Sequence, residues 1–118
     1  MLVPTSGVRL SEGSGRCAVL IISGDVGREL VPAIRAALDE LVAEGWVQIV
    51  LDVQNVTFMD SAGLGMLVYG MRKSEAERGG LRLAGAGMQV SRLMNLSGLD
   101  EVIRVFPDVD AARASWAL

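Results

Sequence analysis

Asp60 and Ser61 are the residues whose types and position best suit chemistry, at the start of the segment DSAGLG at positions 60–65. Both types are preferred at helix N-caps. The apolar residues that follow recur at helical spacing, at Leu64, Leu67, Val68 and Met71. We therefore expect Ser61 at the mouth of a helix, with its hydroxyl near unpaired backbone N–H groups, a place that suits an anion. An ordinary helix cap is the alternative interpretation of the same serine.

A buried strand is expected to deliver the chain to this site. The run from Val47 to Val53 is rich in apolar and β-branched residues and too continuous for a strand with one exposed face. It predicts a strand covered on both faces. After a polar turn at Gln54-Asn55, a short apolar rise through Phe58 and Met59 leads to the serine.

The predicted helix contains glycines at Gly63, Gly65 and Gly70. Each glycine inside a helix costs about 0.5–1 kcal/mol relative to alanine, so each needs a reason. Close packing of the helix on the sheet is a structural reason, and approach of a partner's backbone to the helix mouth is a functional one. The residues alone favour neither. Met66 and Tyr69 are expected on the exposed side of the helix.

Composition excludes several classes of function. A chain of 118 residues is long enough for one domain over residues 1–118. A net charge of −3 argues against a nucleic-acid surface, which needs clustered lysine and arginine. Histidine is absent from the sequence, which removes Ser-His-Asp triads, Cys-His pairs and histidine-ligated zinc. We expect neither a metal nor another cofactor.

The sequence also indicates where the protein works. Its one cysteine, Cys17, fits a reducing compartment. The first ten residues, MLVPTSGVRL, lack the basic region and long apolar core of a signal peptide, and no apolar run is long enough to span a bilayer. We therefore expect a cytoplasmic protein that does not contact a membrane.

The rest of the chain predicts alternating strands and helices. Segments 8–10 and 18–22, joined by a turn at 12–15, indicate a β-hairpin. The remaining predicted elements are an amphipathic helix from Glu29 to Gly45, a short strand at 81–84, a helix carrying Val90, Leu93, Met94 and Leu96, a short edge strand or its remnant at 102–106, and a last helix from Pro107. The pattern predicts an α/β domain with a small mixed β-sheet, an N-terminal hairpin and helices packed against the sheet.

The segment VTFMDSAGLG at 56–65, placed directly after a buried strand, resembles the signature of the STAS domain, the fold of bacterial anti-sigma-factor antagonists. The segment Gly24-Asp25-Val26 followed by Pro32, and LSGLDEV at 96–102, resemble other parts of that family in order and spacing. The resemblance covers nearly the whole chain.

The resemblance implies a phosphorylation-gated binding module that is not an enzyme. Its unphosphorylated form would bind an anti-sigma factor with serine kinase activity and so release a sigma factor. Phosphorylation of Ser61 would end this binding, and a serine phosphatase would restore it. Asp60 would help to hold the serine hydroxyl during phosphorylation, or would simply cap the helix. The partner-binding residues would lie around the helix mouth, at Gly24, Asp25, Met59, Asp60, Ser61, Ala62, Gly63 and Leu64.

Two positions depart from the family's pattern. Gly27 stands where the family commonly has an aspartate, which removes a carboxylate from the neighbourhood of the switch serine. Ala62 stands where the family has a second hydroxyl residue, which leaves Ser61 as the single acceptor.

Two alternative functions stay open from the sequence. One is a STAS scaffold subunit of a larger stress-sensing assembly, in which the serine tunes assembly. The other is a small nucleotide-binding protein that uses the turn Gly85-Ala86-Gly87 between a strand and a helix. The third position of that motif is Val90 where glycine or alanine is needed, so the nucleotide signal is weak.

Overall fold

A mixed sheet forms the centre of the molecule, which a computed structural model describes over residues 7–14 and 17–116. The strands in these residues are β1 Gly7–Ser14, β2 Cys17–Val26, β3 Gln48–Met59, β4 Gly80–Ala84 and β5 Val105–Phe106. They lie side by side in chain order. β1 and β2 are antiparallel, and every other neighbouring pair is parallel. The predicted small mixed sheet with an N-terminal hairpin is confirmed.

Four helices accompany the sheet in the described residues. They are α1 Val31–Ala43, α2 Ser61–Glu75, α3 Met88–Ser97 and α4 Val109–Ala114, with a short 3-10 turn at Leu99–Glu101. The first three connect parallel strands, and α4 follows β5. α2 begins at Ser61, where the sequence placed a helix mouth. None of the helices in the described part of the chain has the length and apolar character needed to cross a bilayer.

The first half of β3, as far as Val53, is covered on both of its faces, as its continuous apolar run predicts. Ile49, Leu51 and Val53 lie in the main core beneath α1 and α2. Val50 points to the opposite face, where it joins a smaller cluster closed by Ala112 of α4. Since a strand's side chains alternate between faces, only a sheet covered on both sides needs apolar residues at successive positions.

Some predicted boundaries shift in the structure. The turn expected at 12–15 is wrong in part, because β1 continues to Ser14 across a register shift between Leu10 and Glu12; residue 15 lies outside the described residues. Of the segment 102–106, only the last two residues form a strand, since the backbone N–H groups of Val102 and Ile103 donate to the Leu99 carbonyl oxygen instead. The assignment of all 118 residues to one domain stays a prediction.

α2 faces the sheet with a different side from the one expected. Its buried residues are Gly63, Met66, Leu67, Gly70 and Ser74. Leu64, Val68 and Met71 are only partly buried, and the expectation that Met66 is exposed is wrong. The helix packs through its glycines: an ideal Cβ on Gly70 would lie 3.0 Å from Leu38 Cδ1. The absence of a side chain there lets α2 approach closely, which brings Met66 inside.

Polar contacts fasten α1 to α2. The Asp39 carboxylate accepts a hydrogen bond from the Tyr69 hydroxyl and pairs with Lys73 Nζ at 3.2 Å. The tyrosine hydrogen bond is the main reason why the pKa of Asp39 lies below its usual value, and the same bond raises the pKa of Tyr69. The Arg35 guanidinium lies 4.6 Å from the centroid of the Tyr69 ring. These contacts help to fix which side of α2 faces outward.

The glycines of α2 give a matched pair of stability predictions. An ideal Cβ on Gly63 would lie 2.4 Å from Met59 Cγ and 3.1 Å from the Val26 carbonyl oxygen, whereas a Cβ on Gly65 meets nothing within 4 Å. We expect Gly65→Ala to raise the free energy of unfolding by about 0.5–1 kcal/mol, the helix gain alone. We expect Gly63→Ala to lower it by about 1–2 kcal/mol, because overpacking outweighs that gain. Urea unfolding of both variants measures the difference, and equal stabilisation by both would contradict the packing described here.

Candidate functional site

Asp60, and not Ser61, caps α2. Its backbone is extended, and its Oδ1 accepts hydrogen bonds from the backbone N–H groups of Ala62 at 2.8 Å and Gly63 at 3.4 Å. Its carbonyl oxygen accepts from Leu64 N at 3.2 Å. Aspartate is among the best N-caps because its carboxylate satisfies N–H groups that otherwise have no partner. Ser61 is therefore the first residue of the helix and does not serve as the cap.

The cap leaves the Ser61 side chain without a structural task. Ser61 is exposed, and within residues 7–14 and 17–116 its hydroxyl makes no hydrogen bond. An ordinary capping serine would instead accept from the second or third N–H of the helix. An exposed hydroxyl with open lone pairs is accessible to a second protein.

The site lies in a broad, open depression of ≈ 1080 Å³. One wall is the segment Gly24–Leu30, which comprises the end of β2 and the loop from there to α1, and the other is the end of β3 with the start of α2. Thr57 Oγ1 donates to Asp25 Oδ1 at 2.6 Å, which ties the two walls together. Asp60 N donates to the Val26 carbonyl oxygen at 3.3 Å. The depression is thus shaped by contacts between the two elements that border the serine.

The structure brings most of the predicted site residues together. Of the predicted site residues, those that line the depression are Gly24, Asp25, Asp60, Ser61 and Ala62. Leu64 is half-buried one turn along the helix, and Gly63 lies beneath Ser61 against the core. Met59 does not fit its expected role in partner contact, because its side chain is only 1% exposed.

Phe58 is the apolar side chain at the rim that sequence reasoning missed. It is 51% exposed and lines the depression directly before Met59. Strand alternation did not separate the two residues, because the register between β2 and β3 shifts between Gly24 and Asp25, opposite this segment. The signal available in the sequence was only that one of two adjacent apolar residues at a strand end faces outward.

Gly27 stands directly against the cap. An ideal Cβ at this position would lie 3.1 Å from Asp60 Oδ2. An aspartate here, as the family pattern has it, would bring a second carboxylate close to the first. The glycine therefore leaves room beside the Asp60 carboxylate and removes a negative charge from the wall that faces Ser61.

The charges around Ser61 are mostly negative. The depression is lined by three carboxylates, those of Asp25, Glu29 and Asp60. Among the described residues that line it, Arg28 is the only cationic one. The N–H groups of Ala62 and Gly63 are already occupied by Asp60. A phosphate on Ser61 would therefore have to compete with Asp60 for the helix N-terminus or point outward into solvent.

The metal and nucleotide sites considered from the sequence have less structural support. Among the described residues, no group of three or more histidine, cysteine, aspartate or glutamate side chains is placed to hold a metal ion. In the turn before α3, Gly85 has a φ of 76°, and an ideal Cβ there would lie 3.1 Å from Gln54 Cβ. Backbone conformation and close contact with β3 thus account for this glycine without a nucleotide.

Comparisons with known proteins place this geometry in a family. The family model for the STAS domain matches residues 10–112. An anti-sigma-B factor antagonist of Staphylococcus aureus is 26% identical over 84 residues, which cover 71% of this chain and 78% of the relative.

Solved structures share the fold. An anti-sigma factor antagonist from Mycobacterium paratuberculosis superimposes with a TM-score of 0.83 and 27% identity, covering 98% of this chain and 97% of that one. The anti-sigma factor antagonist SpoIIAA in its unphosphorylated form superimposes with a TM-score of 0.81 and 23% identity, covering 92% and 95%. Because the family model spans residues 10–112, which is most of the sequence, and the solved structures share the fold, this chain belongs to the STAS domain family.

Proposed function

We propose that this protein is an anti-sigma-factor antagonist controlled by phosphorylation of Ser61. Its unphosphorylated form binds an anti-sigma factor with serine kinase activity and so releases a sigma factor in the cytoplasm. A serine phosphatase restores binding after phosphorylation. The observation that carries the proposal is the exposed Ser61 hydroxyl, which is left without a hydrogen bond because Asp60 caps the helix. The family membership and the names of the relatives support it.

The position of Ser61 suits a kinase. A kinase must bring the acceptor hydroxyl in line with a nucleotide's terminal phosphate, so the acceptor must be accessible from outside the molecule. Ser61 is exposed in the depression of ≈ 1080 Å³, and neither the Gly24–Leu30 segment nor Phe58 closes over it. Asp60 is adjacent and helps to orient the serine through the helix start.

A docking surface continues from the serine along α2. Ser61 and Gly65 are four residues apart and lie on one face of the helix, followed by Val68, Tyr69 and Arg72. Gly65 is exposed and opens a shallow groove of ≈ 450 Å³ bordered by Tyr69 and Arg72. Packing on the sheet explains Gly63 and Gly70 but not Gly65, whose Cβ position is empty. An exposed position without a side chain gives a partner's backbone room to approach, which supports Gly65 as part of the docking surface.

Phosphorylation would act on this surface through charge and hydration. It adds about −1.5 to −2 charges and three strong acceptor oxygens. Because Asp60 already occupies the N–H groups of Ala62 and Gly63, the phosphate stays strongly hydrated and faces carboxylates. A partner seated on Ser61 would have to strip water from it.

The size of the required effect is within reach of such a group. A complete reversal from mostly bound to mostly free needs a difference of about 5.5 kcal/mol in binding free energy. Burial of an uncompensated charge costs several kcal/mol even after relaxation. Repulsion at the interface therefore suffices without a conformational change in this chain.

Substitutions of Ser61 test the proposed switch. Wild type should retain, from a lysate of the native host, an anti-sigma factor of the serine-kinase class identified by mass spectrometry. With that partner purified, we expect Ser61→Asp to raise the Kd at least about tenfold, which corresponds to about 1.4 kcal/mol. Ser61→Ala should bind like wild type, because the hydroxyl makes no structural hydrogen bond. Incubation with ATP and the partner should add one phosphate to wild type and none to Ser61→Ala.

Two results would contradict these expectations. If no such kinase binds wild type, the antagonist proposal fails. If the kinase binds but phosphorylates Ser61→Ala equally well, the acceptor is another residue. Ser61→Asp carries less charge than a phosphoserine. If it weakens partner binding by less than tenfold, the Kd of the protein phosphorylated on Ser61 is measured and decides.

Gly65→Ala separates an effect on stability from an effect on partner binding. Gly65→Ala is expected to stabilise the isolated chain, since its added methyl meets no atom within 4 Å. We expect the same variant to weaken partner binding about tenfold, since that methyl would stand between α2 and the partner's backbone. Gly7→Ala is the matched control, because its Cβ position is equally open and lies on β1. Unchanged affinity of Gly65→Ala, measured by calorimetry, would remove this face of α2 from the docking surface.

A further inference from the structure

The end of β3 runs past its neighbour on one side. β3 pairs with β4 only from Gln48 to Asp52, where Ala84 is the last partner. On its other side, β3 stays paired with β2 as far as Met59. The final residues before the cap therefore have no β4 strand beside them, and their backbone groups on that side need other partners.

Gln89 supplies such a partner to Met59. Its Oε1 accepts from Met59 N at 2.9 Å, and its Nε2 donates to the Met59 carbonyl oxygen at 2.8 Å. A side-chain amide carries the same donor and acceptor as a backbone peptide, so this contact imitates one residue of a strand ladder. Gln89 lies in the first turn of α3 and is partly buried.

We infer that Gln89 is a positioning residue for the phosphorylation site. Met59, the residue that Gln89 holds, is directly followed by Asp60, whose carboxylate caps α2, and then by Ser61. Because both ends of the contact are hydrogen bonds to one residue, Gln89 fixes the rotation of the backbone at Met59 as well as its position. That rotation sets where the Asp60 carboxylate and the Ser61 hydroxyl point.

Contacts on two sides hold the strand end, and Gln89 supplies those on the α3 side. The Met59 side chain is held in the core, and a Cβ on Gly63 would touch it. On the β2 side, pairing reaches Met59, and Asp60 N donates to the Val26 carbonyl oxygen at 3.3 Å. The two hydrogen bonds from α3 hold the opposite side of the same backbone, where β4 has already ended. The role in phosphorylation depends on the proposed function, whereas the effect on the cap does not.

The first arm of the test needs no kinase. Gln89→Leu removes both hydrogen bonds to Met59 at similar side-chain volume, and Gln89→Glu keeps the acceptor but places a carboxylate oxygen against the Met59 carbonyl. Asn95→Ala is the matched control, because Asn95 is also a polar residue of α3 but donates to Asp100 Oδ2 at 3.2 Å. Amide hydrogen exchange, followed by NMR, should accelerate at least about tenfold at Met59 and Ala62 in both Gln89 variants, equivalent to about 1.4 kcal/mol of local opening. Asn95→Ala should leave both amides at the wild-type rate.

The second arm measures phosphorylation by the partner kinase at a temperature below the unfolding transition of every variant. We expect the Gln89 variants to lower kcat for Ser61 about tenfold with KM nearly unchanged, since the exposed face of α2 that docks the kinase is intact. Unchanged exchange at Met59 and Ala62 would overturn the inference. Faster exchange with wild-type kcat would reduce Gln89 to a structural contact and overturn its positioning role. If wild type itself is not phosphorylated, the proposed function fails, and the exchange at Ala62 still decides whether Gln89 positions the cap.

Discussion

The hydrogen bonds from the Asp60 carboxylate to the first turn of α2 are the interaction on which the site depends. By taking the N–H groups of Ala62 and Gly63, Asp60 fixes the start of the helix at Ser61 and leaves the serine hydroxyl unengaged. The same carboxylate occupies the positive end of the helix that would otherwise hold a phosphate. A phosphate added to Ser61 would therefore stay at the surface, beside a negative charge, where a partner would meet it.

Packing of α2 decides which side of the helix the partner can reach. Gly63 and Gly70 press the helix against Met59, Leu38 and the sheet. The opposite side carries the exposed Ser61, Gly65 and Arg72, with the half-buried Val68 and Tyr69 between Gly65 and Arg72. The Asp39 and Tyr69 contact holds this orientation from α1. The same helix therefore serves two purposes. Gly63 and Gly70 allow close packing on one side, and Gly65 leaves room for a partner on the other.

Much of the fold could be predicted from the sequence because local patterns were strong. The continuous run Val47–Val53 indicated a strand buried on both faces, and the residues after Asp60 indicated a helix starting at Ser61; both are confirmed. The buried side of α2 could not be predicted, because glycine carries no hydropathy signal although it makes the closest contacts.

The site was predictable in its centre and not at its margins. Asp60 and Ser61 are adjacent in sequence, so their geometry follows from one cap. The exposure of Phe58 depends on a register shift in a neighbouring strand, and the hydrogen bonds of Gln89 join residues thirty positions apart. Neither feature has a local signature, since each arises only when separate elements pack together.

A direct comparison of the protein phosphorylated on Ser61 with the unmodified protein tests the central claim. Kd for the purified anti-sigma partner and backbone amide chemical shifts would be measured on both forms. We expect the phosphorylated form to bind at least about 100-fold more weakly, or about 2.7 kcal/mol, with shift changes confined to the Gly24–Leu30 segment and residues 58–65. Equal affinity of the two forms would contradict the switch, and shift changes throughout the sheet would show that phosphorylation acts by altering the fold.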